Sequence, residues 1–415
     1  MRRCLFALYR FGTGLYFLGV RLAATLGHRS ARARRRGLAE KPVVFQAPQP
    51  GQCLVWFHCA SAGELEQAVP VMESLKHHRP DWAILCSVFS PSGYDFALTK
   101  KYACIDVLCF LPDDVPRAAH RWLLRWQPRV AVFVKYELWW GYLRTLKRHG
   151  IPSVLMAAHY SYKHRWQKPY LRCVLAEFTK VLTQNEASAD FAKSLGANAA
   201  VAGDPRFDRV ESLKNKALSA FMPDKNRLPA PVVVLGSVWP RDMRLWWPVC
   251  LKYRQRYVWW ICPHNPQSFN TENIKWGENT QVNIWHKTAD LLEKPLPGIN
   301  IITELGVLSG LYAWATWAYV GGGFGKGVHN LLEPAVWGIP VLSGPHIRRF
   351  AEAQELREAG ILWIVRSPKD IESFFQSLND SFMQRLKEKA FHYFSEKKGL
   401  AEKIVREIIS LMPHG

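Results

Sequence analysis

The sequence predicts an α/β protein made of two doubly wound, parallel-sheet halves that face a cleft, preceded by a membrane-associated helix. Three observations lead there. From residue 53, short β-branched or aromatic runs alternate with helix-length segments. That rhythm breaks once, over 211–230, and then restarts. The first 40 residues follow neither pattern, being apolar and rich in Arg. Alternating βαβ units give a parallel sheet covered by helices on both faces. A chain of 415 residues has room for two such domains, each with a core of its own.

Residues 1–40 come first. The stretch 4–27, CLFALYRFGTGLYFLGVRLAATLG, carries only Arg10 and Arg21 as charges. On a helical wheel Arg3, Arg10, Arg21 and His28 fall within about 20° of one line, while Leu5, Tyr9, Phe11, Leu15, Tyr16 and Leu22 point elsewhere. This is the pattern of a helix lying in the membrane interface with its cationic stripe toward water. The run SARARRRG (30–37) adds a polybasic segment suited to anionic headgroups. A spanning helix stays open as an alternative, at about 2.5–3.5 kcal/mol for each Arg held at depth. A cleaved signal peptide fits less well, because Arg21 interrupts the apolar run.

The first half, 41–210, reads as strands at 53–61, 83–90, 107–112, 129–137, 152–158, 180–185 and 199–203, separated mostly by helices. Residues 211–230 gain Lys, Asn and Pro and read as a linker, or as a terminal helix plus linker. The second half, 231–380, reads as strands at 231–237, 257–264, 299–303, 317–323 and 339–344. The tail, 381–415, reads as helical. Ligands of doubly wound sheets sit at the carboxyl ends of strands.

Composition narrows the function classes. Hydrophobic residues make up 48% and charged residues 21%, so the chain is globular. Nine scattered Cys without a CxxC pair argue against a disulfide framework or a zinc ribbon. The net charge of +21 calls for an anionic partner, and +8 of it lies within residues 1–40. A nucleic-acid arm would explain the Arg cluster but not the apolar face before it.

Four constellations can carry chemistry. At the end of the first strand, Ser61, Ala62 and Gly63 are small enough for a substrate to approach, and Glu64 opens the following helix as a candidate general base. The plain alternative is a capping box from Ser61 to Glu64. The loop Gly321–Gly327 exposes backbone N–H groups and Lys326 to a phosphate, with Glu333 placed to accept from a ribose diol. Its alternative is tight packing by the glycines with Asn330–Glu333 capping. Pro263-His264-Asn265-Pro266 offers ring and amide donors at a strand end, or is a Pro-bounded turn. Lys135 and Glu137 leave a strand toward the cleft, or pair at the surface. Arg206 ends the last strand of the first half in the same way.

In order along nearly the whole chain, FHCASAGELEQ, FSPSGYD, FVKYELWWGYL, LTQNEASADFAKSLGA, VAGDPRFDRV, LGSVWPRD, GVLSGLYAWA and YVGGGFGKGVHNLLEPAVWGIPVLSGPH follow the membrane-seeking start. This series resembles the 3-deoxy-D-manno-octulosonic acid (Kdo) transferases of lipid A biosynthesis, with wording most similar to a Bacteroidetes-type branch. The resemblance implies two Rossmann-like domains (the GT-B glycosyltransferase fold), acceptor half first, donor half second, and a final helix crossing back to the first half. It implies CMP-Kdo as donor substrate and no metal or cofactor. It implies as acceptor the tetraacyl lipid A precursor, at the cytoplasmic face of the inner membrane among anionic lipids. Nucleic acid is not an implied partner. Glu64 matches the family's proton acceptor; Lys135 and Arg206 match its transition-state-stabilising positions. Pro263, His264, Gly306, Val307, Leu308, Asn330, Leu331, Leu332 and Glu333 match its CMP-contacting segments, and Lys326 joins them from the glycine loop. Ser61, Ala62, Gly63 and Glu137 fall on the acceptor side. The chain departs from the pattern at Lys135, where many members have Glu, at His264 for Arg, and at Val307 for Glu. A glycosyltransferase with another nucleotide sugar, or a non-catalytic nucleotide-binding module, is the competing expectation.

Overall fold

The computed structural model describes residues 2–160, 167–220, 224, 227–266, 282–325, 327–348 and 350–412. The chain divides into two compact units, Met1–Arg209 with Gly399–Gly415, and Val210–Lys398. Each holds one sheet.

The first unit's strands are β1 (Val43–Val44), β2 (Leu54–Cys59), β3 (Ala83–Val88), β4 (Val107–Phe110), β5 (Val130–Val134), β6 (Ser153–Ala158), β7 (Lys180–Thr183) and β8 (Ala199–Val201). Their order is β1-β4-β3-β2-β5-β6-β7-β8, parallel except for the antiparallel edge strand β1. β2 to β6 are buried along their whole length, as near-continuous Val, Leu, Ile and aromatic runs require when helices cover both faces. The chain winds outward from β2 in one direction and from β5 in the other. The switch point of the sheet therefore lies between β2 and β5.

The second unit contains β9 (Val232–Val238), β10 (Val258–Pro263), β11 (Val282–Trp285), β12 (Ile299–Ile302), β13 (Ala315–Val320), β14 (Val341–Ser343) and β15 (Leu362–Ile364). The order is β11-β12-β10-β9-β13-β14-β15, all parallel, with the switch point between β9 and β13. Its core is dense in aromatic rings: Trp246, Trp259, Trp317 and Tyr319 are buried together.

One expectation about the chain's organisation changes, and two become more specific. The first 40 residues are not a separate segment. Helix α1 (Arg2–Thr25) and helix α2 (Arg29–Ala39) belong to the first unit. Phe6 and Tyr9 pack on Trp140, Phe17 packs on Phe89 and Trp139, and the Tyr9 hydroxyl donates to the buried Asp114. Leu5 and Tyr9 thus face the protein. The exposed residues Leu8, Phe11, Leu15, Leu18, Leu22 and Leu26 share about 80° of arc on the opposite face. No helix among the described residues is long and apolar enough to cross a membrane.

The stretch 211–230 takes its terminal-helix reading: the helix Arg206–Ala220 leaves Asn215 and Lys216 exposed, while Lys214 donates to Val336 O. The tail is two helices, Asp380–Ser395 and Leu400–Ser410, broken where Gly399 takes a left-handed φ of 72°. Only the second belongs to the first unit. It lays Ala401, Ile404, Val405 and Ile408 into the core that contains Leu65, Ala68 and Met72. All nine Cys are free, and seven are buried.

Candidate active site

The first unit concentrates its chemistry at the switch point. β2 ends at Cys59, and helix α3 (Ala62–His78) starts at once. The Ser61 N–H donates to Glu64 Oε2 at 3.0 Å, so the capping-box alternative is realised. It does not use up the carboxylate. Burial pushes Glu64 up to about 7, the charge of Glu137 adds to that, and N–H groups of Ser61 and Ala60 with the Lys135 charge oppose it.

Glu137 comes from the other side of the switch point. β5 ends at Val134, and Lys135 then adopts a left-handed φ of 57°. For a non-glycine residue that conformation is a turn imposed by its surroundings. Here the Lys135 N–H is tied to Met156 O on β6 at 2.9 Å. The turn brings Glu137 back under the strand ends. Trp139 Nε1 donates to Glu137 Oε2 at 2.6 Å. His58 Nε2 lies 3.3 Å from the same oxygen, as an electrostatic contact rather than a well-aligned hydrogen bond. Burial alone would raise Glu137. Contacts with His58, Trp139 and the carboxyl of Glu64 hold it below the usual carboxylate range. The two carboxyls therefore divide the roles, with Glu64 holding the proton and Glu137 ionised, as expected when like charges share a site.

His58 is fully buried on β2, and its Nδ1 is anchored by Ser87 Oγ at 2.9 Å. Neither His58 nor Trp139 was among the sequence candidates. The signal that finds them is the pairing of β2 with β5, which sets His58 opposite Phe133.

Arg206 is bound to its own neighbour. Its Nε and Nη2 donate to Asp204 Oδ2 at 2.9 and 2.6 Å. Buried Asp204 also accepts from Gln67 at 2.8 Å and Gln184 at 3.0 Å. Burial opposes its ionisation, but the Arg206 and Lys135 charges hold it low. Gln67 lies one turn beyond Glu64 on α3, so this helix connects Glu64 to the Asp204–Arg206 group.

In the second unit the glycine loop follows β13 at the switch point. Asp242, fully buried, accepts from Tyr319 OH at 2.6 Å, Gly322 N at 3.1 Å and Trp239 N at 2.8 Å, fixing the loop to the start of the neighbouring helix. A Cβ at Gly321 would stand 2.7 Å from Val238 Cα, and one at Gly323 2.5 Å from Gly344 N. These two glycines serve close backbone packing, whereas Gly325 has nothing nearer than 3.7 Å. Lys326 lies outside the described residues.

Three rings stack beside the loop. Trp239 and His264 are 4.3 Å apart at 21°, and His264 and His329 are 4.4 Å apart at 22°. Trp239 Nε1 donates to His329 Nε2 at 3.0 Å, which requires that nitrogen to be unprotonated. Burial, with His264 alongside, pushes His329 down to about 4, in keeping with a neutral ring. The stack was not legible from spacing, since Trp239, His264 and His329 follow three different strands.

The remaining candidates divide by what they can present. Pro263 is buried as the last residue of β10, and the side chains of Leu331 and Leu332 are fully buried. Only their backbone can meet a ligand. Asn330 Nδ2 donates to Glu333 Oε1 at 3.1 Å, and Asn330 Oδ1 caps Leu332 N at 3.1 Å, so the capping alternative is realised here too. Gly306 takes a φ of 84° ahead of Val307 and Leu308, and Leu308 packs at the Gly236 backbone of β9. Among the described residues no His, Cys, Asp and Glu side chains form a metal-ligating group.

Comparison with known proteins places this geometry. Residues 29–209 match the family model described as 3-deoxy-D-manno-octulosonic-acid transferase (kdotransferase). The chain is 28% identical to the 3-deoxy-D-manno-octulosonic acid transferase of Chlamydophila psittaci over 326 residues, covering 75% of this chain and 74% of that one. It is 24% identical to the enzyme of that name from Haemophilus influenzae over 432 residues, covering 94% and 93%. These matches support a Kdo transferase.

The two parallel-sheet α/β domains are of the GT-B type. Solved structures agree at the level of the fold. The S. aureus MnaA–UDP structure aligns with a TM-score of 0.57 at 11% identity, covering 87% of this chain and 98% of that one. The calicheamicin glycosyltransferase CalG4 aligns at 0.54 and 14%, with the same coverage. The family model ends at residue 209, so it covers the carboxylate pair and not the ring stack.

Proposed function

We propose that the protein transfers Kdo from CMP-Kdo to the 6'-hydroxyl of the tetraacyl lipid A precursor, with inversion and without a metal. The observation that carries this reading is the carboxyl pair of Glu64 and Glu137 at the switch point. A base that titrates near neutrality is matched to taking a proton from an alcohol during attack. In the reaction the acceptor oxygen bonds to the anomeric carbon of Kdo and its proton passes to Glu64. The bond from that carbon to the phosphate oxygen of CMP breaks, and CMP leaves with the electron pair. Glu137, kept ionised by His58 and Trp139, positions and tunes Glu64. Lys135 and Arg206 supply positive charge to the reaction.

On the donor side, the N–H groups of the glycine loop and of Asn330 favour the departing phosphate. Lys326 is assigned to the same phosphate from its sequence position. Pro263, His264, Gly306, Val307, Leu308, Leu331, Leu332 and Glu333 complete the proposed donor site, while Ser61, Ala62 and Gly63 leave room for the acceptor. Helix α1 presents its exposed leucine stripe to the bilayer, and the Arg-rich start of α2 favours anionic lipid. On this reading the protein works at the cytoplasmic face of the inner membrane.

The deciding experiment is incubation with CMP-Kdo and the lipid precursor, followed by mass spectrometry of the lipid. Addition of Kdo is the expected result. No addition with CMP-Kdo, but transfer from another nucleotide sugar, would replace the donor. Glu64→Ala is expected to retain CMP-Kdo binding and to lose at least about 100-fold in turnover; near-normal turnover removes Glu64 from the role of base.

A further inference from the structure

A cavity of about 570 Å³ opens between α1, α2 and the segment that follows β4. That size lies within the range of about 300–1,000 Å³ typical of small-ligand pockets. Its apolar walls include Val20 and Leu22 of α1, Leu38 of α2, and Val115 and Ala118. Four arginines also line it, Arg21, Arg34, Arg35 and Arg121, against a single acid, Asp113.

The charges do not cancel. Arg21 pairs with Asp113 at 2.6 Å, and Arg34 lies 3.6 Å from the same carboxylate while donating to Phe89 O and Leu111 O. Asp113 is thus engaged twice. Arg35 and Arg121 are exposed, and no carboxylate pairs with either among the described residues. An apolar cavity edged by two unpaired cations suits an amphiphile with a long hydrocarbon chain and an anionic head. Leu22 belongs both to the cavity wall and to the exposed leucine stripe of α1, so the cavity is continuous with the proposed membrane-facing surface. Neither Glu64 nor Glu137 lines it, so it is not the place where the hydroxyl reacts.

We propose that this cavity binds one acyl chain of an anionic bilayer phospholipid, whose phosphate is held by Arg35 and Arg121. The proposal rests on the membrane reading of α1 and adds to it a specific, stoichiometric lipid. The bound lipid fastens α1 and α2 to the rest of the first unit from the bilayer side.

The test uses the full-length protein in detergent, titrated with phosphatidylglycerol or phosphatidylcholine and read by native mass spectrometry. One phosphatidylglycerol is expected to bind at least about tenfold more tightly than phosphatidylcholine, the scale of two basic residues near an anionic head. Ala118→Trp fills the cavity and should abolish retention while leaving flotation with phosphatidylglycerol vesicles intact. Val115→Phe provides the same test if Ala118→Trp does not fold. The double substitution Arg35→Gln, Arg121→Gln should remove the preference between the two lipids. Conversely, Leu15→Glu with Leu18→Glu should abolish flotation but keep the single lipid in detergent. Unchanged retention in Ala118→Trp, equal binding of both lipids by the wild type, or displacement of the phospholipid by stoichiometric lipid A precursor would each overturn the proposal. Flotation that survives the leucine substitutions would overturn the membrane reading of α1 instead.

Discussion

Glu64 and Glu137 sit on opposite sides of one switch point, and each bears on the other's protonation. The base form of Glu64 must be present for attack, so the rate should fall as pH drops through about 7. Replacing Glu137 with Gln removes a negative charge that favours the protonated form of Glu64. The acidic limb of the pH–rate profile is therefore expected to move to lower pH in Glu137→Gln, even as the maximal rate declines. A limb that stays in place would show that burial alone sets the basicity. At this scale the sequence was informative about Glu64, because Ser61 and Glu64 have helix-start spacing directly after an apolar run. It was mute about His58, Trp139, Asp204 and Gln67, because their roles come from strand pairing and from hydrogen bonds between distant segments. Arg206 shows the converse: its position was legible, but the hold of its two nitrogens on Asp204 Oδ2 was not.

Elements explain why some residues cannot vary. The glycine loop separates into two kinds of position. Gly321→Ala pushes a methyl group into the Val238 backbone and should cost about 1–3 kcal/mol, the scale of overpacking. Gly325→Ala meets nothing closer than 3.7 Å and should unfold at the wild-type temperature. Calorimetry on both separates packing from ligand contact, since a loss of donor binding confined to Gly325→Ala would mark the open position. The helix Leu400–Ser410 supports the site from behind, by covering α3. Ile404 is fully buried there, and Ile404→Ala should cost about 2–5 kcal/mol in urea unfolding. The strands were legible because continuous apolar runs mark doubly covered parallel sheets. β1, β11 and β15 were missed because they are two to four residues long and half-exposed.

The charge of +21 belongs to the whole molecule, and its densest part is built into the fold. Arg34 is buried, stacked 4.0 Å over Phe89 and bonded to two backbone carbonyls. Deleting residues 1–37 would release the protein from membranes, but it would also uncover Phe89, Trp139 and Trp140. The truncated protein is expected to aggregate and to melt well below the full chain, which a thermal shift measurement would reveal. Amphipathicity made α1 visible in the sequence. Which face docked on the protein was not visible, because both faces are apolar and the choice depends on aromatic partners more than 70 residues away.

The second unit is an insertion within the first. Residues 210–398 are made after β8 and before the helix that closes over α3. Domains fold largely in the order in which they leave the ribosome, yet the first unit here cannot finish until the second has been synthesised. During that interval the apolar side of α3 waits without its cover of Ile404, Val405 and Ile408. A nascent chain arrested after residue 398 should therefore expose that side to chaperones and show no transferase activity. The first unit is completed by a segment that emerges after both sheets, which ties the onset of activity to the synthesis of the helix Leu400–Ser410.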